Sequence, residues 1–207
     1  MRNLLERNNV SRETYLKLRA YEASLVEWQK KFNLVSNASL IDAWNRHFID
    51  SIQLLPLIPE DSYLMYDFGA GAGFPGMVLA IILNERTPYL KIKLIESTKK
   101  KTLYLNYIAE LCRLSNVEII NDRIENIKPE KADVITSRAM TNLNNLLGYA
   151  VKFSSRKTKC IFPKGQKYVE EIAEAEKKWK FEYELINSET SEEGKIITIT
   201  NLEKKGK

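Results

Sequence analysis

The chain has 207 residues, 44% of them hydrophobic and 29% charged, with a formal net charge of +5. That length suits one domain with a full apolar core plus at most a small appendage. The 8 Gly and 6 Pro exclude a collagen-like or linker-like chain. The longest apolar run, Met77 to Leu83, falls far short of the roughly 20 residues that span a bilayer. The segment MRNLLERNNV lacks the apolar stretch of a secretory signal. Cys112 and Cys160 form no spacing pattern, which fits a reducing compartment. A soluble, cytoplasmic, metal-free monomer is expected. Charge is uneven: residues 91–164 hold 15 Lys and Arg against 7 Asp and Glu. A basic segment is either a footprint for a polyanion or a solvated face.

In chain order, Tyr15, Leu18, Tyr21, Leu25, Trp28 and Phe32 make one stripe at the helical period, so residues 12–32 read as an amphipathic helix with Ser11 as its cap. Leu40 to Leu55 predicts another helix, stopping before Pro56. Residues 1–60 therefore form a helical extension, and 61–207 a second unit in which strands and helices alternate. Strands are predicted at Tyr63–Phe68, Ile92–Ile95, Val117–Ile120, Val134–Ile135 and Cys160–Phe162. Helices are predicted at Pro75–Asn84, around Leu103, Tyr107, Ile108 and Leu111, near 141–152, and at 167–180. Phe181–Ile186 and Lys195–Thr200 close the chain as an antiparallel pair around Glu192-Glu193-Gly194. Alternation of this kind gives a mostly parallel sheet covered on both faces. Ligands of such sheets bind beyond the carboxyl ends of the strands.

Four glycines, Gly69, Gly71, Gly73 and Gly76, fall within eight residues between the first of these strands and the following helix. Read from Gly71 the segment spells G-x-G-x-x-G, with Glu96 placed for a ribose hydroxyl pair, which is the dinucleotide fingerprint. Read from Asp67 it spells D-x-G-x-G-x-G, the nucleoside loop of S-adenosylmethionine-dependent methyltransferases. In that reading Asp67 faces the cationic amino-acid end of the cofactor, and Glu96 again takes the ribose. The loop alone does not choose. The short chain leaves little room for the substrate domain of a dehydrogenase, and Asp67 would repel a pyrophosphate. Both favour a class I, Rossmann-like methyltransferase with a seven-stranded sheet and an antiparallel final strand.

The chain resembles one family in particular, the bacterial small-subunit ribosomal RNA guanine-N7 methyltransferases, also called glucose-inhibited division protein B. The resemblance lies in Phe32-Asn33-Leu34-Val35-Ser36, His47-Phe48-Ile49-Asp50-Ser51 and the loop Asp67 to Gly76. It continues in Leu94-Ile95-Glu96-Ser97 with the Lys99–Lys101 run, Ser137-Arg138-Ala139, and Pro163-Lys164-Gly165. It implies methyl transfer from S-adenosyl-L-methionine to N7 of a guanine (guanine 527) in the 530 loop of 16S ribosomal RNA, with the RNA or the small subunit as partner. By position it implies cofactor contacts at Gly69, Phe74, Ile124, Glu125 and Arg138, with Ile124-Glu125 at the adenine. Family members often carry a small residue or Val where Ile124 stands, so the packing of the adenine is left open.

Guanine N7 carries an exposed lone pair, so no general base is required, and no residue is assigned as catalytic beyond Arg138 as a candidate for positioning. The single histidine, His47, reads equally as a structural group beside Asp50 or as an RNA contact. Lys99 and Lys100 read as phosphate contacts or as a solvated helix start, and Lys164 as an RNA contact at the end of a strand. An ion pair of Arg138 with Asp67 or Glu125 is the structural alternative for that residue, and both cysteines read as core. Two other functions stand beside the methyltransferase: an NAD-dependent reductase using the same loop, and a non-catalytic RNA-binding protein.

Overall fold

A computed structural model describes residues 2–206. Helices α1 (Arg2–Arg7) and α2 (Arg12–Gln29) open the chain, and α2 starts where the Ser11 hydroxyl accepts a bond from Thr14 N–H. Leu18, Tyr21 and Leu25 of its apolar stripe are fully buried. The segment Leu40 to Leu55 holds a helix that ends before Pro56, as expected, but not a regular α-helix: a π-helix (Trp44–Ile49) runs straight into α4 (Asp50–Ile52). A short α3 (Asn37–Leu40) precedes it and a 3₁₀ turn (Leu55–Leu57) follows. A π-turn adds a residue per turn, and here it lets Trp44, His47, Phe48 and Ile49 all face inward. No residue type announces that widening.

The remainder alternates as read from sequence. Its strands are β1 (Leu64–Phe68), β2 (Lys91–Ile95), β3 (Val117–Ile120), β4 (Ala132–Thr136), β5 (Ser154–Lys164), β6 (Trp179–Asn187) and β7 (Lys195–Lys204). Its helices are α5 (Gly76–Arg86), α6 (Lys99–Leu111), α7 (Leu143–Phe153) and α8 (Tyr168–Glu176). Strand β5 extends well beyond the predicted Cys160–Phe162, because its first half, Ser-Ser-Arg-Lys-Thr-Lys, is polar and largely exposed. The order is β3-β2-β1-β4-β5-β7-β6, with β1 to β5 parallel and β7 antiparallel to both of its neighbours. The carboxyl ends of β1, β2 and β4 therefore meet where the strand order reverses, the place at which such sheets bind ligands.

One face of the sheet is covered by α5, α6 and the N-terminal helices together. Leu18, Tyr21 and Leu25 belong to the same buried cluster as Met65, Val78, Leu94 and Ile108. The other face packs on α7 and α8 through Phe68, Ile135, Leu147, Phe153 and Ile172. Cys112 and Cys160 are both buried in these clusters, and burial pushes their thiols up to about 11 and about 12. No helix among the described residues is long and apolar enough to cross a membrane.

Because the extension and the sheet share one core, they unfold together. Trp28 and Trp44 report on the extension once Trp179 of β6 is replaced by Phe, so in that background urea transitions followed by their fluorescence and by backbone dichroism should coincide. Leu25→Ala should shift both together, with a loss of about 2–5 kcal/mol.

Candidate cofactor and acceptor site

A cleft of ≈ 600 Å³ opens at the carboxyl ends of β1, β2 and β4, lined among others by Gly69, Gly71, Phe74, Glu96, Ile124 and Arg138. The glycine loop forms one wall. Gly69, Gly71 and Gly73 all have positive φ, at 66°, 59° and 100°. At Gly69 a side chain is excluded twice, since a Cβ would also lie 2.7 Å from Met140 Cγ. Gly76 has ordinary φ and is required by packing: a Cβ there would sit 2.6 Å from Asp67 Oδ2 and against Leu94. Gly73 is turned away from the cleft, beneath the Tyr21 hydroxyl and Met77.

Two carboxylates shape this loop from opposite sides. Glu96, at the end of β2, accepts Gly71 N–H on Oε2 at 3.0 Å and Thr98 N–H on Oε1 at 2.7 Å, and it lines the cleft. Asp67 is fully buried and is no part of the lining. Its Oδ2 accepts Gly76 N–H at 2.9 Å and its Oδ1 accepts the Thr136 hydroxyl at 3.2 Å. The expectation that Asp67 faces a ligand is thus corrected: it lies under the loop and pins the start of α5. Burial pushes its carboxyl up to about 7, against the pull of those two donors.

Arg138 lies at the other end of the cleft, just beyond β4. Its Nη1 donates to Asp50 Oδ2 at 2.9 Å and to Arg46 O at 2.8 Å, and its Nη2 donates to His47 Nδ1 at 2.7 Å. The guanidinium also sits 5.3 Å from the Phe74 ring centroid. The ion pair expected with Asp67 or Glu125 is therefore made with Asp50, from the N-terminal extension. His47 is buried and stacks on Phe74 at 4.7 Å. A guanidinium can only donate, so Nδ1 accepts and the ring proton lies on Nε2, which bonds Ser39 Oγ at 3.0 Å. Burial, with Arg138 alongside, pushes the imidazole down to about 4. His47 is a neutral spacer that props Arg138.

The remaining sequence candidates separate. Ile124 and Glu125 sit in a 3₁₀ turn after β3, with Ile124 buried at the cleft and Glu125 exposed, accepting the Tyr149 hydroxyl at 2.9 Å. Its own backbone N–H foremost, and then the Tyr149 hydroxyl, hold the Glu125 carboxyl below the usual range. Lys99 and Lys100 are exposed at the start of α6, with Lys100 Nζ 5.7 Å from the Phe32 ring, while Lys101 reaches the cleft. Lys164 is nearly buried and already engaged, donating to Thr141 O at 2.9 Å and Glu171 Oε2 at 2.8 Å. Sequence reasoning missed Tyr149, Met140 and the two donors on Asp50 Oδ1, the Gln53 amide at 2.8 Å and the Thr190 hydroxyl at 2.6 Å. Only Asp50 carried a signal, lying in the His-Phe-Ile-Asp-Ser segment. No group of three or more His, Cys, Asp and Glu among the described residues is disposed to hold a metal ion.

A sheet of this order, with a glycine loop after β1, an acid ending β2 and a helical turn after β3, defines a class I methyltransferase fold. Solved structures show the same architecture. The crystal structure of M. jannaschii TYW2 in complex with AdoMet matches with a TM-score of 0.56 at 17% identity, covering 76% of this chain and 75% of that one. That of the fibrillarin/Nop5p complex matches with 0.56 at 15% identity, covering 75% and 84%. A family model described as rRNA small subunit methyltransferase G matches residues 14–197. A protein of that name from Ruegeria pomeroyi is 37% identical over 194 residues, 94% of each chain. Another from Orientia tsutsugamushi is 41% identical over 191 residues, 92% of each. The chain belongs to the rRNA small subunit methyltransferase G family.

The state of His47 has a pH signature. Below its ordinary value near 6.5, the unfolded chain takes up a proton that the native imidazole refuses until about pH 4. Native stability from this residue is therefore lost as pH falls through that window. His47→Gln removes the effect while retaining an acceptor for Arg138. The stability advantage of the parent over the variant in urea should be larger at about pH 7 than at about pH 5. Asp67 titrates alike in both proteins and drops out of the difference.

Proposed function

We propose that this chain transfers a methyl group from S-adenosyl-L-methionine to N7 of a guanine in the 530 loop of 16S ribosomal RNA, guanine 527 in the family's pattern. The observation that carries the reading is the pairing of Glu96 with the Gly71 backbone in a cleft of ≈ 600 Å³, in a chain of this family. The donor set suits the cofactor. Each Glu96 oxygen accepts one backbone bond and keeps a lone pair for a ribose hydroxyl. Ile124 offers an apolar face for the adenine, and Tyr149 closes that end. Arg138 supplies the cation for the carboxylate of the amino-acid end. Family membership speaks against the nicotinamide reading.

When bound, S-adenosylmethionine would supply a methyl on a sulfonium sulfur, which the N7 lone pair can accept with the S–C electrons left on sulfur and no proton lost. The protein's work is then to hold two reactants in line and to bear the positive charge that the purine gains. Asp50 serves the first purpose by fixing the Arg138 guanidinium at the end of the cleft. Lys101 and Arg123 line the cleft, and the exposed Lys99 and Lys100 precede Lys101 at the start of α6; together they suit RNA phosphates. We place the reaction in the cytoplasm, performed by a monomer on the rRNA or on the small subunit.

The direct test is incubation of the protein with tritiated S-adenosylmethionine and undermethylated small subunits, followed by mapping of the label. Label in 7-methylguanosine within the 530 loop is the expected result; cofactor binding without label would overturn the substrate. Glu96→Gln should weaken S-adenosylmethionine binding by about 1–3 kcal/mol, the scale of a lost charge-assisted bond, in titration calorimetry. Unchanged affinity would remove Glu96 from the ribose site.

A further inference from the structure

Beside the loop that follows β4 lies a second cavity of ≈ 430 Å³, which adjoins the cofactor cleft along Arg138, Ala139, Met140 and Thr141, residues that line both. It opens at the carboxyl end of β5, walled by apolar Met140, Pro163 and Ile196 and by charged Lys164 and Glu171. A volume of that size suits a small planar ligand held between apolar faces. The polar groups in it are unusually well fixed. Glu171 Oε2 accepts Leu143 N–H at 2.7 Å and the Lys164 ammonium at 2.8 Å, so the carboxylate caps α7 and pairs with Lys164. Its Oε1 accepts no hydrogen bond among the described residues, although the side chain is only 24% exposed. Lys164 has three N–H donors, two of them spent on Thr141 O and Glu171.

We propose that this cavity receives the acceptor guanine and that Glu171 is the residue that reads it, taking the N1–H and N2–H donors of the base on its open carboxylate edge while the third donor of Lys164 meets O6. The inference rests on the guanine-N7 reading above. Its argument is the layout of the base. N7 and the N1–N2 edge lie on different sides of a purine, so a guanine that turns N7 past the Arg138–Thr141 loop towards the methyl donor keeps N1–H and N2–H inside this cavity. The Glu171 carboxylate is fixed there at the end of that loop, on Leu143 N–H and on the Lys164 ammonium that also bonds Thr141 O, with Oε1 open beside the third donor of Lys164. Adenine has an acceptor at N1, which would face a carboxylate and be rejected. The bond also strengthens during the reaction: as N7 gains the methyl, the ring becomes cationic, N1–H becomes a better donor, and a carboxylate there binds the transition state more tightly than the substrate.

The test uses the full chain and an rRNA fragment containing the methyl-accepting guanosine, compared with the same fragment carrying inosine there, which lacks the 2-amino group. Affinity of the cofactor-loaded protein is read by fluorescence anisotropy, and methyl transfer by label. The parent protein should prefer guanosine over inosine by at least tenfold in kcat/KM and bind it more tightly. In Glu171→Gln the carbonyl must stay on Leu143 N–H and Lys164, which turns the amide N–H₂ onto the donors of guanine. That variant should keep its S-adenosylmethionine affinity and lose the preference to within twofold. A parent that methylates guanosine and inosine alike overturns the proposal while leaving the proposed function standing, and does so even if the variant fails to fold. So does a Glu171→Gln protein that discriminates as the parent does. A parent that labels neither fragment nor undermethylated subunits fails earlier, at the substrate itself.

Discussion

A single guanidinium ties the two halves of this molecule together. Arg138, carried just past β4, spends its donors on Asp50, on Arg46 O and on His47, and lies over Phe74 of the glycine loop. Two segments remote from it in sequence, residues 46–50 and the glycine loop, thus converge on one planar cation. It is mostly shielded, with 17% of its side chain exposed and 16% of that of Asp50. A cation so placed demands an anion and directed acceptors, because unpaired charge in that setting is strongly unfavourable. The π-turn at Trp44–Ile49 brings Asp50, His47 and the Arg46 carbonyl to bear on the same group. The extension is therefore a wall of the site as well as a cover for the core.

The glycine loop is governed by an analogous division of labour. Asp67 below and Glu96 at the rim each accept a loop amide, through Gly76 and Gly71 respectively. Burial drives the first towards neutrality and leaves the second at the cleft. Tyr21 adds a third restraint from the extension, its hydroxyl bonding Ala72 O and its ring stacking on Phe74 at 5.4 Å. A loop with three residues at positive φ would otherwise sample many shapes. Here its conformation is fixed before any ligand arrives, which spares the ordering entropy on binding.

Much of this was legible in the sequence, and the exceptions have a common cause. Strand–helix alternation, the antiparallel ending, the α2 stripe and the Asp67–Gly76 loop all depend on local period or on glycine, and each appears near its expected place. The helix within Leu40 to Leu55 is present too, but its π-turn was hidden, because it keeps a helical pattern of apolar residues while changing which ones face inward. The first half of β5 was hidden by its polarity. Among site residues, Glu96 and Ile124 line the cleft where spacing and resemblance put them. The partners of Arg138, the inward burial of Asp67 and the engagement of Lys164 with Glu171 were not readable, since each depends on a contact between residues far apart along the chain.

The turn between β6 and β7 gives this last point a kinetic edge. Thr190 binds Asp50 across 140 positions of sequence, Glu189 N–H binds Gln53 across 136, and the Glu189 carboxylate pairs with Arg7. Contacts of such separation close large loops, whose entropy must be lost before the contacts return anything. The hairpin itself can zip locally, but its docking on the extension must await the intervening sheet. The anchor of Arg138 is thereby completed by residues from both ends of the described chain. A partly folded chain would hold a glycine loop and a sheet edge yet lack a fixed acceptor face, so competence for chemistry arrives with the last long-range closure rather than growing by degrees.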